Sequence, residues 1–128
     1  MVNVFKALGD ENRLRMINLL IKSSLCVCEL ETMLDMSQSN VSRHLSKLKS
    51  AGLISSFKEQ QWVYYQISDE FKESGVNLLS YIESELVGKA NFKHDDDVYK
   101  NYKENNFDCN SISENKLAIL DLIYMEGK

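Results

Sequence analysis

The chain has 128 residues and a mass of 14.8 kDa, room for one compact domain with its own core and a tail. A composition of 44% hydrophobic and 27% charged residues excludes wholesale disorder. The most apolar stretch, Met16–Ile21, is far short of the ~20 residues of a membrane span. The three Cys, with no signal-peptide order at the N-terminus, predict reduced thiols in a cytoplasmic protein without membrane contact. Net charge is −4, but it is unevenly placed. Residues 1–93 hold 11 basic and 11 acidic side chains, whereas residues 94–128 hold 4 Lys and 8 acids. Between Ser37 and Lys58 there is no acid at all, and Arg43, Lys47, Lys49 and Lys58 form a local basic window able to meet phosphate.

In chain order, Asn3–Leu8 is a short helix with Val4, Phe5 and Leu8 on one side. Gly9 and Asp10 break it, and Asp10 caps a second helix, Glu11–Lys22, whose Leu14, Ile17, Leu20 and Ile21 follow a 3.6-residue period. A third helix runs from about Cys26 to Leu34, with Val27, Leu30 and Leu34 inward. After a very short turn, Ser37 caps a fourth helix to Ser50, with Val41, Leu45 and Leu48 as its apolar stripe and Gly52 at its exit. The period then becomes 2: residues 53–57 and 62–67 read as a hairpin. Ser68 or Asp69 caps a long helix to Val87, with Phe71, Leu78, Leu79, Ile82 and Leu86 on one face. Residues 91–113 read as a polar linker, and His94 with Asp95–Asp97 as a solvated segment. Helical periodicity returns over 114–126 with Leu117, Leu120, Ile123 and Tyr124. The expected class is mostly α with a small β component: a winged helix-turn-helix over residues 1–90, then a linker and short helix over 91–128.

The helix Ser37–Lys49 divides its labour as a DNA-reading element does. Val41, Leu45 and Leu48 anchor it, while Gln38, Ser39, Asn40, Ser42, Arg43, Ser46 and Lys47 offer the donors and acceptors that read base edges in the major groove. His44 either reaches a phosphate or packs beside the strands. Lys58, with Gln60 and Gln61, sits at the wing tip. A winged helix that binds protein instead is the competing reading of this face.

Three segments, FKALGDENRLRMINLL, SQSNVSRHLSKLKSAGLI and WVYYQI, resemble the ArsR/SmtB metal-responsive repressors over residues 3–88. The resemblance implies a homodimer on double-stranded operator DNA, with Val4, Phe5 and Leu8 of the first helix meeting Leu78, Leu79, Ile82 and Leu86 of the last core helix. SLCVCEL is similar to the LCVC(D/E)L motif of arsenic- and cadmium-sensing members, and so implies that Cys26 and Cys28 are thiolate ligands for a soft ion. On a regular helix, positions i and i+2 lie roughly 200° apart. Chelation by this pair is therefore expected to unwind the first turn and misplace the reading helix.

Where some relatives carry a third Cys, this chain has Glu31, which leaves Cys109 as the candidate third ligand, from its own or the partner subunit. The resemblance implies arsenic(III) or antimony(III) as inducer, with no cofactor required; a cadmium/lead-type or redox-responsive regulator is the alternative. The N-terminus lacks the extra Cys of cadmium sites, and residues 69–89 lack the His of zinc sites. Two His, no Gly-rich phosphate loop and no HExxH spacing give an enzyme nothing to build on.

Overall fold

A computed structural model describes residues 2–124, and each element in it has a local cause. Helix α1 is Val2–Leu8 and α2 is Glu11–Lys22. Between them, Asp10 Oδ1 accepts a hydrogen bond from Arg13 N at 3.1 Å, satisfying a donor that the helix start leaves free. Strand β1, Leu25–Cys26, precedes α3, Val27–Leu34. Asp35 ends that helix in the left-handed region (φ 54°). Helix α4, Gln38–Ser50, starts at Ser37, whose Oγ accepts from Asn40 N at 3.3 Å. Gly52 follows with φ +79°, a left-handed exit that favours glycine. Strands β2, Ile54–Glu59, and β3, Trp62–Ile67, are joined by Gln60–Gln61, with Gln60 taking the positive φ (58°) common in two-residue hairpins. The sheet is antiparallel in order β1-β3-β2, and Cys26 is registered opposite Tyr64.

Ser68 Oγ accepts from Phe71 N and donates to the Gly52 carbonyl, capping α5, Asp69–Ser74, and tying it back to the exit of α4. The single long helix expected from 69 to 87 is in fact two, α5 and α6 (Val76–Leu86), separated at Gly75. A Cβ on Gly75 would stand 2.5 Å from the Phe71 ring, so any other residue there must displace that buried side chain.

The larger correction concerns residues 91–113. The expected polar linker is mostly helix: α7, Ala90–Glu104, packs on α2 and α3, and α8, Cys109–Tyr124, kinked at Asn115, packs on α3 and α7. Phe92, Asp95, Val98 and Tyr102 are the buried face of α7. Two of those four are polar-capable groups satisfied by partners elsewhere in the chain, so hydropathy alone hides the period. Arg15 Nε and Nη2 donate to the two oxygens of Asp95 at 2.8 and 3.0 Å, and Asn18 donates to Asp96 at 2.8 Å. Leu117, expected inward, is 76% exposed; Ile112, Ile119 and Ile123 form the buried face of α8. Residues 125 and 126 of the expected last helix lie outside the described residues.

One hydrophobic core runs through all of these helices, from Leu8, Ile17, Leu30, Val41 and Leu45 to Val98, Tyr102 and Ile123. Among the described residues no helix is long and apolar enough to cross a membrane.

Candidate nucleic-acid interface and thiol site

Burial of Val41, Leu45 and Leu48 against the body leaves the opposite side of α4 in solvent. Gln38, Ser39, Ser42, Arg43, Ser46 and Lys47 are all exposed, Asn40 is half-buried, and Arg43 donates to Asn40 Oδ1. Their placement together follows from the helical period and the three apolar anchors. Lys58 is exposed on β2 beside the hairpin turn, and Lys49 Nζ reaches Ser56 Oγ at 2.8 Å, fastening α4 to the wing. His44 departs from the expected set. Its side chain turns inward, the residue is 5% exposed, and Nδ1 lies 3.2 Å from Arg13 Nη1. Burial lowers its imidazole pKa, so His44 is a packing residue held by α2 rather than a group presented to DNA.

Sequence reasoning missed one neighbour of this face. Lys6 of α1 shares with Arg13, Ser46, Lys47 and Ser50 an open recess of about 400 Å³ at the C-terminal half of α4. Nothing in the local sequence of α1 marks Lys6; only packing of α1 against α4 brings it there.

The second site is built where β1 turns into α3. Cys26 stands before the helix, not in it: it is the N-cap of α3, with extended backbone (φ −89°, ψ 169°). Cys28 is the second residue of the helix. Because Cys26 is extended, the helical separation of i and i+2 does not apply, and the two sulfurs converge with Sγ–Sγ of 2.7 Å. The expected need to unwind the first turn is thereby overturned. Cys109, at the start of α8, completes the group, and the three Sγ atoms lie within 4.8 Å of one another. In the structure Cys26 and Cys109 are joined as a disulfide, and Cys28 is the free thiol. On two-electron reduction the same three positions offer three thiols.

Cys26 and Cys109 are each 1% exposed, whereas Cys28 is half-buried and is the open side of the group. Burial, then the nearby Glu29 and Glu31 carboxylates, pushes the Cys28 thiol up to about 11, because each disfavours a thiolate. Two further residues were missed. Glu29 Oε1 accepts from Cys26 N at 3.0 Å, and Glu29 Oε2 accepts from the Tyr102 hydroxyl at 2.6 Å. The spacing Cys26-x-x-Glu29 is the sequence trace of a capping box with Cys at the cap. Tyr102 left no trace, lying 73 residues away from Glu29.

The family model described as "Bacterial regulatory protein, arsR family" matches residues 10–56. Over 68 residues the chain is 46% identical to the arsenic resistance transcriptional regulator ArsR1 of Pseudomonas putida, which covers 52% of this chain and 53% of that protein. The chain spans about half the length, 53–60%, of the curated arsenic-resistance regulators it matches. Among solved structures it is similar to HlyU from Vibrio cholerae, with 36% identity and a TM-score of 0.55, over 63% of this chain and 88% of that one. It is also similar to Mb0332 from Mycobacterium bovis, described as a homodimeric winged helix-turn-helix DNA-binding domain, with 29% identity and a TM-score of 0.58 over 65% and 74%. The family model's match runs from the cap of α2 into β2.

Proposed function

This chain belongs to the arsR family of bacterial regulatory proteins, and on that premise we propose that it is a dimeric transcriptional repressor that leaves its operator when arsenic(III) or antimony(III) binds Cys26, Cys28 and Cys109. The observation that carries the reading is the convergence of three sulfurs within 4.8 Å. Trivalent arsenic is soft and takes three thiolates in a trigonal pyramid, so three sulfurs and no nitrogen suit it. The reaction balances as a condensation: arsenous acid, As(OH)3, and three thiols give one As(SR)3 centre and three waters. The Cys26–Cys109 disulfide must first accept two electrons and two protons from a dithiol reductant.

DNA binding rests on the exposed polar face of α4, with Gln38, Ser39, Asn40, Ser42 and Arg43 toward base edges and Ser46, Lys47 and Lys58 toward phosphates. Dimerisation through α1 and α6 is supported by a groove of about 460 Å³ that includes Val4, Phe5, Leu53, Phe71 and Leu78. Phe5 is 55% exposed there, an apolar side chain that a second copy would cover. An ion bound at the start of α3 acts on DNA through two neighbours. Helix α3 packs on α4, and Cys26 pairs with Tyr64 of the wing strand β3. An ion that pulls on Cys26 and Cys28 therefore shifts the reading helix and the wing together, and linkage makes the ion-bound form the weaker DNA binder.

A second reading, release by oxidation of the thiols, is favoured by the Cys26–Cys109 disulfide itself. One experiment separates the two. The anisotropy of a labelled duplex from upstream of the chain's own gene is followed with arsenite under reductant, and with diamide alone. Release by arsenite in the wild type, lost in Cys28→Ser and Cys109→Ser, supports metalloid sensing. Release by diamide but not by arsenite replaces it with the redox reading.

A further inference from the structure

We propose that Tyr102 and Glu29 are positioning residues of the thiol site: together they hold Cys26 off the end of α3 so that its sulfur converges with that of Cys28. The inference rests on the thiol-site reading above and adds residues to it.

The argument begins from the difficulty that an i, i+2 pair poses. If Cys26 entered the helix, its side chain would leave on the side opposite Cys28. Something must keep it extended. Pairing of β1 with Tyr64 and Tyr65 is one restraint, but β1 is only two residues long. The Cys26–Cys109 disulfide is another, lost on reduction, and the restraint that survives reduction is the Glu29 carboxylate, which receives the Cys26 N–H at 3.0 Å and so fixes the peptide preceding α3.

A carboxylate in that role has to be held in turn. Glu29 is 3% exposed, and its second oxygen is satisfied by the Tyr102 hydroxyl at 2.6 Å, from a residue with no exposure at all. Tyr102 is buried in the last turn of α7, one turn after the buried Val98, with the Phe107 ring 5.8 Å away centroid to centroid. Burial and the bond to Glu29 push the phenol well above its ordinary range, so it stays a hydrogen-bond donor throughout the physiological range. Removing this donor leaves a buried carboxylate oxygen without its partner, and the carboxylate turns toward water to recover one. Cys26 then loses its restraint. Partners that orient the ligands of a metal site typically contribute about 10–100-fold to affinity.

The test uses the reduced full chain with wild type, Tyr102→Phe, Glu29→Ala and Glu29→Gln. Arsenite affinity is titrated by the near-UV absorbance of the sulfur–arsenic centre. Operator affinity of the ion-free protein and the thermal midpoint are recorded alongside. The expected result is that Tyr102→Phe and Glu29→Ala weaken arsenite binding about 10–100-fold, with ion-free operator affinity within two-fold of wild type. Glu29→Gln, whose amide oxygen still accepts from Cys26 N–H, stays within a few-fold of wild type for arsenite.

A role confined to folding would lower the thermal midpoint and leave the affinity of the folded protein alone. Arsenite affinity unchanged in Tyr102→Phe and Glu29→Ala overturns the proposal. If the wild type itself takes up no arsenite, metalloid sensing fails, and positioning is then read with phenylarsine oxide. That reagent condenses with two converging thiols, forming one dithioarsenite and one water. Slower bridging of Cys26 and Cys28 in Tyr102→Phe than in wild type supports the proposal, and equal rates overturn it.

Discussion

Arg15 grips Asp95 with two parallel hydrogen bonds, Nε to Oδ2 at 2.8 Å and Nη2 to Oδ1 at 3.0 Å, and this fork fastens α7 to α2. Asp95 has no exposure and Arg15 little, so each partner is the other's main compensation for leaving water. Arg15→Ala is expected to lower stability by about 3 kcal/mol, the range for orphaning a buried charge, measured by urea unfolding at neutral pH. Burial raises the Asp95 carboxyl above its ordinary range; Arg15 opposes this without cancelling it, and Asp95 in turn raises Arg15. The folded state thus holds the Asp95 proton more tightly than the unfolded chain. This group's contribution to stability is greatest in acid and falls as pH rises through the ordinary value and then the raised one. Loss of Arg15 deepens that fall, which unfolding curves from pH 4 to 8 will register.

Cys28 makes a separate prediction about reactivity. With its thiol pushed up to about 11 by burial and by Glu29 and Glu31, the thiolate fraction at pH 7 is only on the order of 10⁻⁴. Alkylation of the oxidised protein by iodoacetamide should be slow at neutral pH and climb steadily until about pH 11. A rate that levels off near pH 8 would contradict the burial and the charges assigned to the site.

On α4 the expected effects differ by residue. Arg43→Ala should weaken operator binding by about 1–3 kcal/mol and relax sequence preference, with or without arsenite. Lys47→Ala should weaken binding to all duplexes alike and reduce the salt slope by roughly one. His44→Ala, whose ring is buried against Arg13, should lower thermal stability and leave the salt slope intact. Anisotropy titrations at several salt concentrations distinguish the three.

Gly75→Ala tests the break between α5 and α6. The added Cβ would meet the Phe71 ring at 2.5 Å and the Phe71 carbonyl oxygen at 3.0 Å, so the buried ring must shift to admit it. A loss of about 1–3 kcal/mol is expected from overpacking, although alanine is the better helix former. Phe71→Leu in the same chain should recover part of that loss, as read from thermal unfolding.

Much of the chain up to the start of α5 was legible because its signals are local. Asp10, Ser37 and Ser68 each cap the helix that follows through a side-chain oxygen, and the change from period 3.6 to period 2 at Gly52 marks the wing. Val41, Leu45 and Leu48 all lie in the core, which is why the exposed face of α4 was also predictable. His44 was not, since its orientation depends on Arg13, 31 residues earlier. The break at Gly75 falls at a poor helix former, but the crowding against the Phe71 ring that disfavours a side chain there shows only in the packed chain.

Composition, periodicity and the Cys26-x-Cys28 spacing by themselves determined a winged helix with a thiol pair beside its reading helix. Only the tertiary structure decided that residues 90–104 are a packed helix, that Cys26 is a cap rather than a helical residue, and that Cys109 joins the pair. For α7 the physical reason lies in its partners. A buried Asp95 reads as solvated until Arg15 meets it, and a Tyr102 reads as surface until Glu29 meets it. Polar groups enter a core only with partners, and when a partner lies 70 to 80 residues away no window of sequence contains both halves of the bond.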